Sequence, residues 1–269
     1  MTFSVLMSIY FKENPAWFNR AMQSIWDEQT VKPNEIILVQ DGPLTSELDN
    51  MISIWKNKLG DILKCIPLEN NVGLGDALNI GLQYCSNELV ARMDTDDIAM
   101  SDRFEKQLAI LKQGDIDICS SWITEFDVNE LCITGTRSLP EHHEAIAQYT
   151  KLRNAINHPA VMYKKSAVDR AGGYQKMMWF EDYYLWVRML LTGSKFYNIQ
   201  EPLVHMRAGL AQLERRSGIA YARSELSLLK KCRYLGFLTR FEFYKAVVLR
   251  VPVRLMPTFL IRFTYKLLR

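Results

Sequence analysis

Glu88-Leu89-Val90-Ala91-Arg92-Met93-Asp94-Thr95-Asp96-Asp97 decides how this chain is read. An apolar run of strand length delivers three carboxylates within four residues. Carboxylates packed that closely at the end of a buried strand repel one another unless a cation intervenes. Their natural partner is a hard divalent ion bound through oxygen, and such an ion usually accompanies a phosphate. The run therefore points to a site for a metal and a nucleoside diphosphate. A solvated acidic turn capping the next helix is the competing explanation, and the triplet alone does not defeat it.

Working outward, the same strand type recurs. Phe3 to Ile9 is a continuous apolar run, as expected of a strand buried on both faces. Asn14 and Pro15 offer an N-cap and a first helical position, and Trp17, Phe18, Ala21, Met22, Ile25 and Trp26 follow at helical spacing. Glu35 to Gln40 reads as a second buried strand ending at Asp41-Gly42. A helix over Leu48 to Leu59, a short strand near Lys64 to Leu68 and a helix from Asp76 to Tyr84 come next. This alternation predicts an α/β fold with a doubly wound, mainly parallel sheet. Ligands of such sheets sit beyond the carboxyl ends of the strands, where Tyr10, Asp41 and Asp94 all fall.

Beyond a helix at Asp102 to Lys112 the pattern becomes mixed. Strand candidates are Ile116 to Trp122, Ala160 to Tyr163, Lys195 to Ile199 and Leu203 to Arg207, with a helix from Asp182 to Leu191 stopped by Gly193. From Gln212 the chain reads as helices broken at Gly236, Pro252 and Pro257. The expected division is a catalytic domain over 1–210 and a basic helical tail over 211–269. Within the first, a nucleotide half covers about 1–100 and an acceptor half about 101–210.

With 48% hydrophobic and 23% charged residues among 269, the chain has the balance of a folded globular protein. A net charge of +3 is too small to imply nucleic-acid binding. The basic character is concentrated: ten of the residues from Lys230 onward are basic and Glu242 is the one acid there. Five scattered cysteines without a C-x-x-C pair argue against a disulfide framework or a structural zinc site, and for a reducing cytosol. The N-terminus has no signal-peptide pattern, and no apolar run reaches the roughly 18 residues of a membrane span. The expectation is a soluble or peripheral cytoplasmic protein.

Five motifs occur in order: Ser4 to Tyr10, Ile36 to Gly42, Asn71 to Asn79, Arg92 to Asp97 and Glu181 to Trp186. Together they resemble the inverting glycosyltransferases of family 2, which have the GT-A fold, over about residues 3 to 207. The resemblance implies a UDP-sugar donor and a divalent cofactor, Mn²⁺ or Mg²⁺. It places Ser8, Tyr10, Asp41, Gly73, Asp94 and Arg207 at the nucleotide. Physically, Tyr10 can stack on uracil and Asp41 can accept from uracil or ribose, although a strand-end aromatic and a turn residue explain them equally well on local grounds. Free N–H groups of the Asn71–Gly75 loop can meet a phosphate, while Asp76 stands where the family commonly carries a basic residue.

On the same resemblance Asp96 ligates the metal directly, Asp94 serves the ribose or the metal's outer shell, and Asp97 ligates or caps the next helix. Asp182 is the expected general base and Glu181 orients the acceptor, although carboxylates at a helix start are also ordinary capping. His205 and Arg207 alternate on one strand and so share a face. Arg207 is expected near the diphosphate, and His205 is a candidate extra metal ligand or a hydrogen-bonded core residue. Arg215 and Arg216 are candidates for a cationic lid, and Asn157-His158-Pro159 is placed near the acceptor.

The segment Arg250 to Arg269 interleaves bulky apolar and cationic side chains, which suits an anionic inner-membrane surface. A helix packed on the catalytic domain is its rival, and nucleic acid is disfavoured because no binding motif is present. Membrane attachment fits the acceptor that the tail's resemblance implies, a polyprenyl-diphosphate-linked N-acetylhexosamine in bacterial O-antigen or exopolysaccharide assembly. The transferred group is then a hexose, glucose or galactose. Two rivals stand beside this reading. A sugar-nucleotide nucleotidyltransferase would carry a basic glycine-rich loop where Tyr10 to Pro15 lie. A non-catalytic membrane-associated binding protein would tolerate loss of Asp96 and Asp182.

Overall fold

A computed structural model describes residues 1–208 and 217–256. Strand β1 (Phe3–Ile9) is continuously apolar because its alternate residues serve two cores. Phe3, Val5, Met7 and Ile9 enter one, and Leu6 the other. Helix α1 (Pro15–Trp26) begins as its sequence predicts, the Asn14 side chain accepting from the N–H groups of Ala16 and Trp17. After it come β2 (Glu35–Gln40), α2 (Ser46–Leu59, capped by Thr45), β3 (Leu63–Pro67), α3 (Leu74–Tyr84) and β4 (Leu89–Arg92). β1 pairs in parallel with β2 and β4, and β2 with β3, so four strands present their carboxyl ends on one side. α1 and α2 cover one face of this sheet and α3 the other.

The rest of the sheet is built from β5 (Ile98–Ala99), β6 (Ile118–Phe126), β7 (Ile133–Arg137), β8 (Met162–Lys164) and β9 (Phe196–Arg207). Its order is β3-β2-β1-β4-β8-β6-β9-β5, with β7 on β6. β8, β7 and β5 run against their neighbours and the other six strands share one direction, which makes the sheet mixed but mostly parallel. Helices α4 (Arg103–Leu111), α5 (His143–Thr150), α6 (Lys165–Arg170) and α7 (Glu181–Leu191) flank it, followed by α8 (Ile219–Tyr234) and α9 (Arg240–Leu255).

Three local expectations need correction. The two strands predicted within Lys195 to Arg207 are one. Ser121 lies opposite Ile199 and Trp122 opposite Pro202, so the polar Gln200-Glu201 interruption is a bulge rather than a gap. Polar β7 and two-residue β5 lack the apolar run that identifies the buried strands. Pro252 does not end α9, which runs on to Leu255; its missing N–H removes one bond of the ladder close to the helix end, so little helix beyond it is left to disturb.

α7 is buried on two sides. Leu185, Trp186 and Met189 join the core under α3, while Tyr183, Tyr184 and Val187 pack against Tyr221, Leu228, Leu229 and Phe243 of the α8–α9 hairpin. Buried Glu225 ties the hairpin together through Arg250 (2.5 Å) and Arg254 (2.7 Å). As far as Met256 the basic tail is therefore docked on α7. Its remainder, 257–269, and Arg215 and Arg216 lie outside the described residues. Among the described residues no helix is long and apolar enough to cross a membrane.

Candidate active site

The carboxyl ends of β1, β2 and β4, the start of α3 and the end of β9 enclose a cleft of about 570 Å³. Ser8, Tyr10, Asp41, Gly73, Asp94, Asp96, Asp97 and Arg207 all line it, so eight side chains or backbones singled out in sequence converge. Phe11, Lys12, Glu13, Asn71, Leu74, Thr95 and Met206 complete the wall. Its acids are Glu13, Asp41, Asp94, Asp96 and Asp97, against the two cations Lys12 and Arg207. Such a cleft repels a diphosphate unless a cation comes with it.

The turn between β4 and β5 brings oxygens of Asp94, Asp96 and Asp97 within 4.8 Å of one another. They are not equivalent. Arg92, fully buried on β4, donates through Nη2 to Asp94. Asp97, 1% exposed, accepts from the Arg207 N–H on one oxygen (2.8 Å), while Oδ2 is buried without a hydrogen-bond partner. Burial and the neighbouring Asp94 charge push Asp96 up to about 6, and burial with both neighbours also raises Asp97 well above the usual carboxylate range. An all-oxygen donor set, one orphaned buried carboxylate oxygen and charges that resist ionising alone fit a hard divalent ion.

Asp41 has a structural job besides the contact expected of it. Its carboxylate accepts from the N–H groups of Val72 (2.7 Å) and Gly73 (3.1 Å), and its carbonyl from the Asn71 side chain (3.1 Å). Two of the N–H groups expected for a phosphate are thus engaged by protein. The loop approaches so closely that a Cβ at Gly42, φ +87°, would lie 2.8 Å from the Asn71 nitrogen. Asp41 positions the loop in front of α3 as well as lining the cleft.

Arg207 and His205 also need redrawing. The Arg207 guanidinium lies 4.3 Å from the Trp17 ring centre and 4.5 Å from that of Phe126, and it donates to the carbonyls of Asp96 (3.3 Å) and Asp127 (3.1 Å). It braces the acidic turn while adding positive charge at the cleft. His205 is not brought to the carboxylate group: its Nδ1 meets Thr124 Oγ1 within the sheet, and it lines neither cavity described here. Of the two roles expected of it, the structure shows the hydrogen-bonded one.

A second cavity of about 280 Å³ shares Gly73 and Leu74 with the first and is lined further by Val72, Gln175, Met178 and Glu181. Glu181 opens α7, where burial raises its carboxyl. Asp182 lies beside it and lines neither cavity; its Oδ2 accepts from Asn154 Nδ2 at 2.8 Å. Tyr174 links the two sides. Burial raises its phenol, and the charges of both Asp182 and Asp94 act on it in the same direction. Its hydroxyl meets half-buried His158 Nε2 at 2.8 Å, and its backbone is clamped by the Asn79 amide at 2.7 Å in both directions. Sequence reasoning missed Arg92, Tyr174 and Asn154.

Comparisons with known proteins agree with this geometry. Residues 4–171 match the Glycosyl transferase family 2 profile. The chain is 41% identical over 265 residues to the UDP-Gal:alpha-D-GlcNAc-diphosphoundecaprenol beta-1,3-galactosyltransferase of Escherichia coli, covering 98% of this chain and 95% of that one. It is 35% identical to the amylovoran biosynthesis glycosyltransferase AmsE of Erwinia amylovora, over 98% of each chain. Among solved structures, S. aureus TarS 1–349 in complex with UDP-GlcNAc superposes with a TM-score of 0.69 at 16% identity, over 92% of this chain and 70% of that one, which speaks to the fold.

Proposed function

The chain belongs to glycosyl transferase family 2, and we propose that it moves a hexose from a UDP-sugar to a polyprenyl-diphosphate-linked N-acetylhexosamine, inverting the anomeric centre. Galactose is the first donor to test, and bacterial O-antigen or exopolysaccharide assembly is the setting. One observation carries this reading: the E. coli relative acting on UDP-Gal and GlcNAc-diphosphoundecaprenol matches almost the whole of both chains. The acidic cleft at the strand ends supports it.

In this reading 1–100 is the nucleotide half and 101–210 the acceptor half of the catalytic domain. Tyr10 stacks on the uracil, and Ser8, Asp41 and Gly73 border the nucleoside. Asp96 would hold Mn²⁺ or Mg²⁺ with Asp94 and Asp97; when bound, the ion compensates charge on the departing diphosphate as a Lewis acid. Asp182 takes the proton from the acceptor hydroxyl as that oxygen bonds to the anomeric carbon and the bond to UDP breaks. Glu181, in the adjoining cavity, orients the acceptor. Working on a lipid-linked acceptor places the chain peripherally on the anionic cytoplasmic face of the inner membrane, with no role for nucleic acid.

The test is a transfer assay with a panel of UDP-sugars and a synthetic GlcNAc-diphosphate-lipid acceptor, with and without EDTA. Asp96→Ala and Asp182→Ala are each expected to lower the rate on the order of 10³-fold. Full rate in excess chelator removes the metal, full rate in Asp182→Ala removes the base, and no transfer from any UDP-sugar removes the donor class.

A further inference from the structure

Helix α9 is apolar on two sides. Phe243 and Ala246 are buried against the rest of the protein. On the opposite side Phe241, Tyr244, Val248, Leu249 and Leu255 are exposed, from 54% to 77%. With Lys245 and Pro252, which are also exposed, these positions span roughly 140° of arc at 3.6 residues per turn. Contiguous exposed apolar surface of this extent marks an interaction site. At the hairpin turn Tyr234, 91% exposed, extends it.

Charge around the stripe has one sign. Between Ile219 and Met256 there are eight basic residues and two acidic ones. Both acids are engaged internally: Glu225 with Arg250 and Arg254, and Glu242 with Lys151 and the α9 N-cap. The sequence that follows, 257–269, adds Arg262, Lys266 and Arg269 and no acid.

Position ties this stripe to the acceptor side. The Gly218 N–H, ahead of α8, donates to the Arg254 carbonyl near the end of α9 (2.8 Å). Tyr221 stacks on Trp179 with ring centres 5.2 Å apart, and Ser224 holds the Met178 carbonyl at 2.6 Å. Met178 lines the second cavity, beside Glu181. Exposed Met178, Trp179, Ile219 and Leu255 thus connect that cavity to the stripe.

We infer that the exposed face of α9 is the surface by which this protein lies on an anionic bilayer, oriented so that a lipid-anchored acceptor reaches the cavity at Glu181 from the membrane. A bilayer interface matches both features, apolar side chains for the acyl boundary and surplus cations for the headgroups. The inference rests on the proposed lipid-linked acceptor but is tested apart from transfer.

Full-length protein and the Val248→Glu/Leu249→Glu variant are floated with phosphatidylcholine vesicles with and without 25–30% (roughly) phosphatidylglycerol. Expected are binding of the native chain to the anionic vesicles, its weakening by salt, and a loss of about tenfold or more in the variant. Transfer to acceptor embedded in vesicles falls with it, whereas transfer to a water-soluble short-chain diphosphate acceptor stays at the native rate. Undiminished vesicle binding by the variant overturns the inference. So does light scattering that shows a native dimer split by the variant, which would assign the face to a second copy. Loss of transfer to both acceptors by the native chain instead tells against the proposed function and leaves the vesicle result standing.

Discussion

The proposed donor and acceptor sides of this site are built differently. On the donor side Asp41, Asp94 and Asp97 stand at strand ends, and each is fixed by backbone N–H groups or a buried guanidinium. On the acceptor side Glu181 and Asp182 open a helix reached through a segment with Gly172, Gly173 and Trp179 in the left-handed region. Asp182 accepts from a side-chain amide of another loop. Strand ends tied into a sheet keep their geometry without a ligand, whereas loop-borne acids depend on packing that can vary with the acceptor. The contrast predicts that donor-side changes alter metal and nucleotide use together, and acceptor-side changes leave nucleotide binding alone.

Arg92→Met is expected to have the largest effect. It leaves Asp94 without its buried partner and lets the acidic turn repel itself. A loss of about 10- to 100-fold in rate with weaker metal affinity is expected, as for other groups that orient metal ligands. Titration of Mn²⁺ against rate and against UDP binding checks it. If metal affinity is unchanged, the donor side does not depend on this ion pair.

The next effect isolates donor-side stability from chemistry. Glu35, 4% exposed at the start of β2, receives hydrogen bonds from Ser4, Ser86 and Lys64, each at 2.6 Å. Burial alone would raise its carboxyl, but the Lys64 ammonium and the serine donors outweigh burial and take it down to about 2 from 4.5. A depressed folded value contributes stability that is whole above pH about 4.5 and is lost as pH falls towards 2. Glu35→Gln is expected to lower stability at pH 7 by about 2 kcal/mol and to flatten the acid limb of the unfolding curve. Its kcat at neutral pH should be native. An unchanged acid limb would mean that Glu35 does not set it.

On the acceptor side, Asn154→Ala removes the amide that holds Asp182. About tenfold in kcat is expected, roughly 1.4 kcal/mol, with UDP binding unaltered. Equal loss of UDP binding would dissolve the distinction between the two sides.

How far the sequence foretold this depends on chain distance. The buried strands were legible because their two-sided burial produces unbroken apolar runs, as in Phe3–Ile9 and Glu35–Gln40. Asp94, Asp96 and Asp97 are contiguous, so their cluster was legible too. Asp41's hold on Val72 and Gly73 was not, since 31 residues and more separate the partners. Arg92 lay inside the decisive strand, but one cation in an apolar run gives no sign of which way it turns. Tyr174 and Asn154 come from separate loops with no common spacing, and only the fold brings them beside Asp182. His205 shows the limit of alternation: period two put it on Arg207's face, and only the fold shows Thr124 on the neighbouring strand meeting its Nδ1.

The smallest expected effect probes the least regular point of the acceptor side. Trp179 has φ +66°, a conformation that costs a side chain with a Cβ about 1–2 kcal/mol. Its ring, 40% exposed, meets that of Tyr221 across 5.2 Å, a contact of about 0.5–1.5 kcal/mol. Trp179→Gly removes the strain and the contact together, so the two nearly cancel and stability should move by less than about 1 kcal/mol. Trp179→Ala removes the contact but keeps the strain, and should be less stable than the glycine variant by about 1 kcal/mol. Thermal unfolding of the pair separates the terms, and equal stabilities would mean that the backbone there is unstrained. Both variants should raise KM for a lipid-embedded acceptor about two- to threefold with UDP binding intact, because only the apolar rim between α9 and the second cavity has changed.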